Sequence, residues 1–568
     1  MMSLIDLEDI KADFSILSRD DAKLVEIIEK LECCDSRDCL ILLGRAQECL
    51  IRLRENLKSN IECNCQKILS VPQSACSIKF ECPSCRIRFF FPAKNFGPLT
   101  PIFPLTKLTL PNSDSILCLD FGTSSLKSAL RKSYNSTAES LNIGLQADAD
   151  GLVNEDQSSI PSAIFISKSD NFIYFGQEAL FRGQKGEPFE LFEISPKKWL
   201  IELSPEELKK SIVGNLSKKN LLSGLISVAL ESSMIQGGFN IIDLCAMELR
   251  VSHPVWPNDK SAETLNLTLK EITDEALNLA YLRLLNSLNP IKNLDEFERR
   301  VDMGSINHKQ SKVDVEEPVA AAIELFENER NSREVCVIID VGAGTTDIGL
   351  FESVTPDNDK KRKIIPLKSP VSVYQAGDFI DQELIDTIKE NSTVELNSSQ
   401  LGEINSRRRQ IKETLFNFGY IVEFGIQVQL NDLVKREGIK SFCERIKQEF
   451  IKKIIDSEDS IYALFNATRN PIKEIDVIFS GGGANIGFLN SVIKDTEIEI
   501  KGHKIPIALR KPNSRKYNNL KAPIERLAVS LGGTLDSEQW PETKMGDTPL
   551  ADPLGYKCPT YEQYPHQA

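Results

Sequence analysis

Between residues 20 and 60 the apolar positions fall at helical spacing. Leu24, Ile27, Ile28 and Leu31 form one stripe. After Asp35 and Ser36 a second run carries Leu40, Leu43, Cys49, Ile51 and Leu53 among Arg and Glu. Two amphipathic runs separated by a short polar break predict an αα-hairpin or a short oligomerising coil, so residues 1–60 read as a helical N-terminal segment. Residues 61–92 lose that period and become cysteine-rich. Residues 93–114 are rich in proline with no helical repeat, as in a linker or an extended strap. From 115 to 535, apolar runs of strand length alternate with helical runs, which predicts an α/β domain. Residues 536–568 are polar and proline-bearing and read as a flexible tail.

Length and composition narrow the classes. At 568 residues the chain holds more than one domain, and 41% apolar with 26% charged residues is an ordinary globular balance. No run approaches the ~18 uninterrupted apolar residues of a membrane helix. The first residues, MMSLIDLEDIKADF, carry early acids and no apolar core, so they do not read as a secretory signal. A cytoplasmic protein without a membrane partner is expected. The net charge of −14 argues against non-specific nucleic-acid binding through phosphate neutralisation, a local basic patch aside, and no specific nucleic-acid partner is expected.

The cysteines are unevenly placed. Of 14, nine lie in the first 85 residues: Cys33, Cys34, Cys39, Cys49, Cys63, Cys65, Cys76, Cys82 and Cys85. In a reducing compartment such a cluster points to metal rather than to disulfides. Two half-motifs repeat: Cys63-Asn-Cys65 followed by Val71-Pro72, and Cys82-Pro-Ser-Cys85 followed by Phe91-Pro92. Each reads as a knuckle followed by a strand, and four thiolates from two knuckles close one tetrahedral Zn²⁺. So short a module has no room for an apolar core and depends on its metal. The pattern resembles a zinc ribbon. The first knuckle is C-x-C rather than C-x-x-C, which leaves Cys76 as an alternative ligand. A degenerate ribbon whose cysteines are merely small buried residues is the competing reading.

Three glycine-bearing loops carry the functional argument. In Ser115–Ser125 an apolar strand runs into Asp120-Phe-Gly122-Thr123, and in Val335–Leu350 the design recurs as Asp340-Val-Gly342-Ala-Gly344-Thr345-Thr346-Asp347. Glycine lets backbone N–H groups approach phosphate oxygens, and an Asp at the strand end can hold a hydrated Mg²⁺. One such loop is weak evidence. Two, about 220 residues apart, suggest two similar halves clamping a phosphate chain. The third loop, Ser480-Gly481-Gly482-Gly483-Ala484-Asn485, ends a strand before a helix, where glycine lets backbone lie flat against a ligand. A plain strand–helix turn explains it equally well. Just before the second loop, Glu316-Glu317-Pro318 opens a helix of small residues.

Together these segments resemble the actin-like ATPase superfamily, and within it the heat-shock protein 70 family. The likeness is carried by DFGTSSLKSAL, EPVAAAIELF, IIDVGAGTTDIGLF and SGGGANIGFL. Supporting segments in the same order are Ser159–Phe165, Phe175–Ala179, Leu249–Pro254, Ala376–Asp381, Arg409–Leu415 and Ala528–Gly532. It covers residues 115–535. It implies two similar lobes around a nucleotide cleft, with ATP or ADP and Mg²⁺ as cofactors. Under it, Asp120 and Asp340 order the Mg²⁺ shell, and Gly122, Thr123, Gly342, Gly344 and Thr345 wrap the phosphates. Glu317 positions the attacking water with Asp347 nearby, Gly377 and Asp378 touch phosphate or ribose, and Lys412, Gly481, Gly482 and Gly483 line the adenosine. The implied activity is slow hydrolysis of ATP to ADP and phosphate, driving a conformational switch.

Two departures qualify that expectation. The family's catalytic lysine aligns with Leu180, which leaves Arg182, Lys197 and Lys198 as substitutes, and a phosphate lacking its cation is turned over slowly. Asn485 stands where the family carries a cation stacking on the base. In addition, about 33 residues follow the ATPase-like region, too few for the family's peptide-binding sandwich and lid. The N-terminal module is then the expected docking end for a protein partner or client. A nucleotide-sensing scaffold that binds ATP without turnover is the main alternative, ahead of a sugar or metabolite kinase and a filament former. The Arg407–Arg409 run reads as a solvated helix face with Arg409 nearest the adenosine. The three tryptophans read as isolated.

Overall fold

The computed structural model describes residues 113–535, apart from 134–135, 145–156, 240, 257–258, 286–293, 295–296, 298–310, 327–333, 355–362, 393–394, 468–470, 513–516, 518–519 and 521, together with four strands between residues 58 and 91. The helical reading of residues 20–57 and the tail reading of 536–568 therefore lie outside the described residues. The four early strands form two antiparallel hairpins, β1 (Lys58–Glu62) with β2 (Ile68–Pro72) and β3 (Ile78–Glu81) with β4 (Arg88–Phe91). Lys58–Asn60 are thus strand, which corrects the helical boundary drawn at residue 60. Each hairpin's connection spans one expected cysteine pair. Cys63, Cys65, Cys76, Cys82 and Cys85 themselves lie outside the described residues.

The main body is mixed α/β, with two principal sheets. The first part of the chain supplies β5 (Ile116–Phe121), β6 (Ser125–Arg131), β7 (Glu139–Leu141), β8 (Ser159–Pro161), β9 (Ile164–Ser167), β10 (Ile173–Phe175) and helix α1 (Gln177–Gln184). There follow β11 (Phe189–Glu193), α2 (Lys198–Glu202), α3 (Pro205–Leu208), β12 (Ser211–Val213), β13 (Leu216–Ser217), α4 (Lys218–Gly237), α5 (Ile241–Ala246), β14 (Glu248–His253), α6 (Asp259–Leu285) and β15 (Lys312–Glu316). The second part supplies α7 (Glu317–Leu325), β16 (Glu334–Val341), β17 (Thr346–Val354), β18 (Lys363–Val373), α8 (Gly377–Asn391) and α9 (Ser398–Phe418). It continues with β19 (Tyr420–Glu423), β20 (Ile426–Gln429), α10 (Leu430–Val434), α11 (Glu437–Ile455), α12 (Glu458–Phe465), β21 (Ile475–Ser480) and α13 (Gly487–Lys494). It ends with β22 (Ile498–Ile500), β23 (His503–Ile505), β24 (Ile507–Leu509) and α14 (Ile524–Gly532).

The first sheet runs β15-β14-β5-β6-β7, with β8 also paired to β6; the second runs β18-β17-β16-β21-β24. With β8 left out of the count, the orders are the same when numbered from each sheet's first strand. In both, the first and second strands form an antiparallel hairpin and the fourth and fifth run parallel to the first. Strands β5 and β21 are buried along their whole length, as expected where helices cover both faces.

Each sheet keeps its own apolar core, one around Leu119, Phe121, Leu225 and Ile272, the other around Ile339, Leu384, Phe442 and Phe450. Between them lies a third cluster that joins Ala320, Ala321 and Ala322 of α7 to Leu527 and Ala528 of α14 and to Ala129, Ile338 and Ile478 of the two sheets. Small residues let these helices approach closely: a Cβ on Gly532 would fall 1.9 Å from the Ala320 carbonyl oxygen. Among the described residues, no helix is long and apolar enough to cross a membrane.

Candidate functional site

Equivalent loops of the two sheets meet face to face. Asp120 lies near the end of β5 and Asp340 near the end of β16, and each strand turns back through the glycine–threonine loop read in the sequence. In the second loop, Gly342 N–H donates to Thr345 O at 2.9 Å, closing the turn. A Cβ on Gly344 would sit 3.0 Å from Thr123 Oγ1, so the loops are in contact. Gly377 opens α8 against the second loop: its N–H donates to Gly342 O at 3.1 Å, and that of Asp378 to Ala343 O at 2.7 Å. Gly481 closes the other side at φ +80°, where a Cβ would come 2.6 Å from Asp340 Oδ1 and 2.5 Å from Val341 O. Gly483 packs on Val341, whereas a Cβ on Gly482 would meet nothing within 4 Å.

The meeting point is lined with buried acids. Oxygens of Glu317, Asp340 and Asp347 all lie within 4.8 Å of one another. Asp340 Oδ1 and Asp347 Oδ1 are buried without a hydrogen-bond partner. Thr345 Oγ1 donates to the other Asp347 oxygen at 3.1 Å. Burial first, then the charge of Glu317, pushes Asp340 up to about 7 and Asp347 up to about 8. Burial also pushes Glu317 up, against the pull of Lys197. Carboxylates repelling one another in a dry place, two of their oxygens without a partner, fit a small hard cation. Asp120, expected beside such an ion, is instead held by Lys127 Nζ at 2.8 Å and Ser252 Oγ at 3.3 Å.

The three cations named as substitutes lie in different surroundings. Leu180 packs in an apolar cluster with Phe165 and Phe192, and Arg182 is tied to Glu187 and Glu178 on its own segment. Lys197 is buried and its Nζ donates to Glu317 Oε1. Its neighbour Lys198 reaches Asp378 Oδ2 at 2.6 Å, beside Ser195 Oγ at 3.3 Å. Residues 195–198, which follow β11, therefore touch both α7 and α8. His253 ends β14, stacks on Trp256 with ring centroids 5.0 Å apart, and is pushed down to about 4 by burial and the nearby Lys197. That stacking corrects the reading of Trp256 as isolated.

The arginine run divides. Arg407 pairs with Glu403 and Glu423 near the surface, and Arg409 with Glu413. Arg408 turns inward to Asp378 at 3.6 Å and Asp381 at 3.4 Å, which corrects the reading of a wholly solvated face. Burial alone would push the Asp378 carboxyl up, but Arg408 and Lys198 hold it below its usual range. Lys412, expected along the adenosine, pairs with Asp381 at 2.6 Å and donates to Gly377 O at 3.0 Å. It therefore stands at the start of α8. Sequence reasoning missed Lys127, Ser252, Arg408 and Asp381. The available signal for Lys127 was a charge between the apolar residues of SLKSALR, seven positions after Asp120. No protein-family model matches the chain, and no curated protein matches it.

Proposed function

We propose that the chain is an ATP-binding conformational switch of the heat-shock-70-like, actin-like class, which hydrolyses ATP slowly. The observation that carries this reading is the pair of sheets with one strand order, whose equivalent Asp–Gly–Thr loops meet over a partner-poor cluster of Glu317, Asp340 and Asp347. Two glycine loops offer backbone N–H groups to a phosphate chain from opposite sides. Mg²⁺, held by Asp340 and Asp347, would neutralise phosphate charge there. Glu317, pushed up by burial, is suited to orient a water and accept its proton. Lys197 supplies the positive charge that Leu180 does not, and it is this lysine that favours turnover over a scaffold that only binds. The chemistry is positioning and electrostatics with no covalent intermediate.

Calorimetric binding of ATP with Mg²⁺, together with phosphate release, tests the reading on wild type and Asp340→Ala. Binding with slow release, both weakened in the variant, is expected. Binding with equal background release in both proteins would leave the sensor scaffold, and absence of binding would overturn the proposal. We further infer that the two early hairpins close one structural Zn²⁺ through their connecting residues, with the N-terminal module docking a protein partner. Metal analysis of the full chain against Cys82→Ser tests the zinc.

A further inference from the structure

The two sheets fill one equivalent position with opposite chemistry. In the first hairpin Asp120 of β5 stands across the ladder from Lys127 of β6. In the second, Asp340 of β16 stands across from Asp347 of β17. The first pair neutralises itself: Lys127 Nζ stands 2.8 Å from Asp120 Oδ2, and Ser252 Oγ donates to Asp120 Oδ1 at 3.3 Å. The second pair sets two carboxylates against each other, and like charges directly opposite on a ladder are destabilising. Asp340 and Asp347 are only 5% and 1% exposed, and each leaves its Oδ1 buried without a hydrogen-bond partner. A buried charge is retained where something compensates it.

The neighbouring lysines do not supply that compensation. Lys127 is paired with Asp120, and Lys197 with Glu317. Ionised, Asp340 and Asp347 are therefore two negative charges left over, the count that one divalent ion answers. Glu317 adds a third donor, since oxygens of all three residues lie within 4.8 Å of one another. Carboxylate oxygens select hard cations such as Mg²⁺, Mn²⁺ and Ca²⁺ over softer ones.

We propose that the Asp340–Asp347 pair is a hard divalent-cation site that fills without nucleotide, the ion held directly by both carboxylates with Glu317 alongside. The ion does for the second hairpin what Lys127 does for the first, and the first hairpin takes none. This adds an order to the nucleotide reading, the ion preceding the phosphate chain, but it does not rest on that reading.

The test is titration of the full, nucleotide-free chain with Mn²⁺ alone, followed by the electron paramagnetic resonance of the free ion. Melting curves confirm that each variant is folded. Wild type should take up one Mn²⁺ at this site, and excess Mg²⁺ should displace it. Asp347→Asn should weaken uptake about a hundredfold or more, since even an outer partner of a metal site is worth about ten- to a hundredfold. Asp347→Lys, which repeats the pairing of the first hairpin, should abolish it. The double variant Asp120→Asn/Lys127→Met removes the neutral pair whole and should stay within about threefold of wild type. Absence of Mn²⁺ uptake by wild type overturns the inference, as does equal uptake by wild type and both Asp347 variants. Either result leaves the nucleotide reading standing if ATP with Mg²⁺ still binds. Mn²⁺ uptake lost in the Asp347 variants, in a chain that binds no ATP, supports the ion site and removes the nucleotide reading.

Discussion

Lys197 donates a hydrogen bond to Glu317 across the junction of the two sheets, joining the segment after β11 to the first turn of α7. Each group depends on the other. Burial disfavours the Glu317 carboxylate and the lysine charge restores part of it. Under the proposed ATP hydrolysis, phosphate release should therefore fall about 10²-fold or more in Glu317→Gln and by a similar factor in Lys197→Ala, the size expected for losing a base or a transition-state cation. Because the two act as one unit, the double variant should be no worse than the worse single. Release should rise with pH as Glu317 ionises, and Lys197→Ala should move that rise to higher pH. Additive losses would separate the two roles.

Stability should carry the signature of the crowded acids. In the unfolded chain Asp340 and Asp347 titrate near about 4, whereas in the folded protein they are pushed to about 7 and about 8. Between those values the folded state holds more protons than the unfolded one, so stability falls as pH climbs from about 4 to about 8 and levels off outside that window. Asp347→Asn removes one of the repelling charges. Its melting temperature should exceed that of wild type by a few degrees at about pH 8, and the gap should shrink toward about pH 4. A gap that widens on acidification would mean that these carboxylates are stabilised as anions by a partner.

The glycines of the third loop are not equivalent, and substitution should separate them. Gly481 combines φ +80° with a missing Cβ that would press on Val341 O and Asp340 Oδ1. Gly481→Ala should cost on the order of 2–3 kcal/mol and displace Asp340, lowering both melting temperature and ATP affinity. Gly482→Ala meets open space and should leave stability within about 0.5 kcal/mol of wild type. Paired denaturation curves check both.

These cases also show why some of the molecule could be read before folding and some could not. The Asp120 and Asp340 loops sit at the ends of long apolar strands, where local pattern dictates strand, turn and strand, so their positions follow from the sequence. Helix α7 was legible for the same reason: Pro318 is tolerated at its first turn, and alanines follow. The partners of these residues are decided by tertiary pairing, which no local pattern encodes. Lys127 is the case in point, since it faces Asp120 only because β5 and β6 pair in one register. Arg408 sits between two arginines of identical chemistry and differs from them only in which way α9 turns it. Lys197 and Lys198 were equivalent candidates in sequence, yet one meets Glu317 and the other Asp378.

The crossing of α7 and α14 gives the sharpest stability test, because two effects there have opposite signs. Glycine at a helical position ordinarily loses up to about 1 kcal/mol relative to alanine, and Gly532 is the last residue within α14, so Gly532→Ala would stabilise an isolated helix. In the folded chain the added Cβ would lie 1.9 Å from Ala320 O, 2.7 Å from Ala320 C and 3.2 Å from Glu324 Cβ. Backbone atoms cannot rotate away as a side-chain tip can. Ala320, Ala321 and Ala322 are buried in the cluster joining the two sheets, so α7 has little room to retreat. Overpacking should win, and Gly532→Ala should destabilise by roughly 3 kcal/mol, the upper end for inserted methyl groups. Ala320→Gly should not rescue it, because the contact is with backbone oxygen. Chemical denaturation measures the sign directly: stabilisation would mean that the two helices are free to separate.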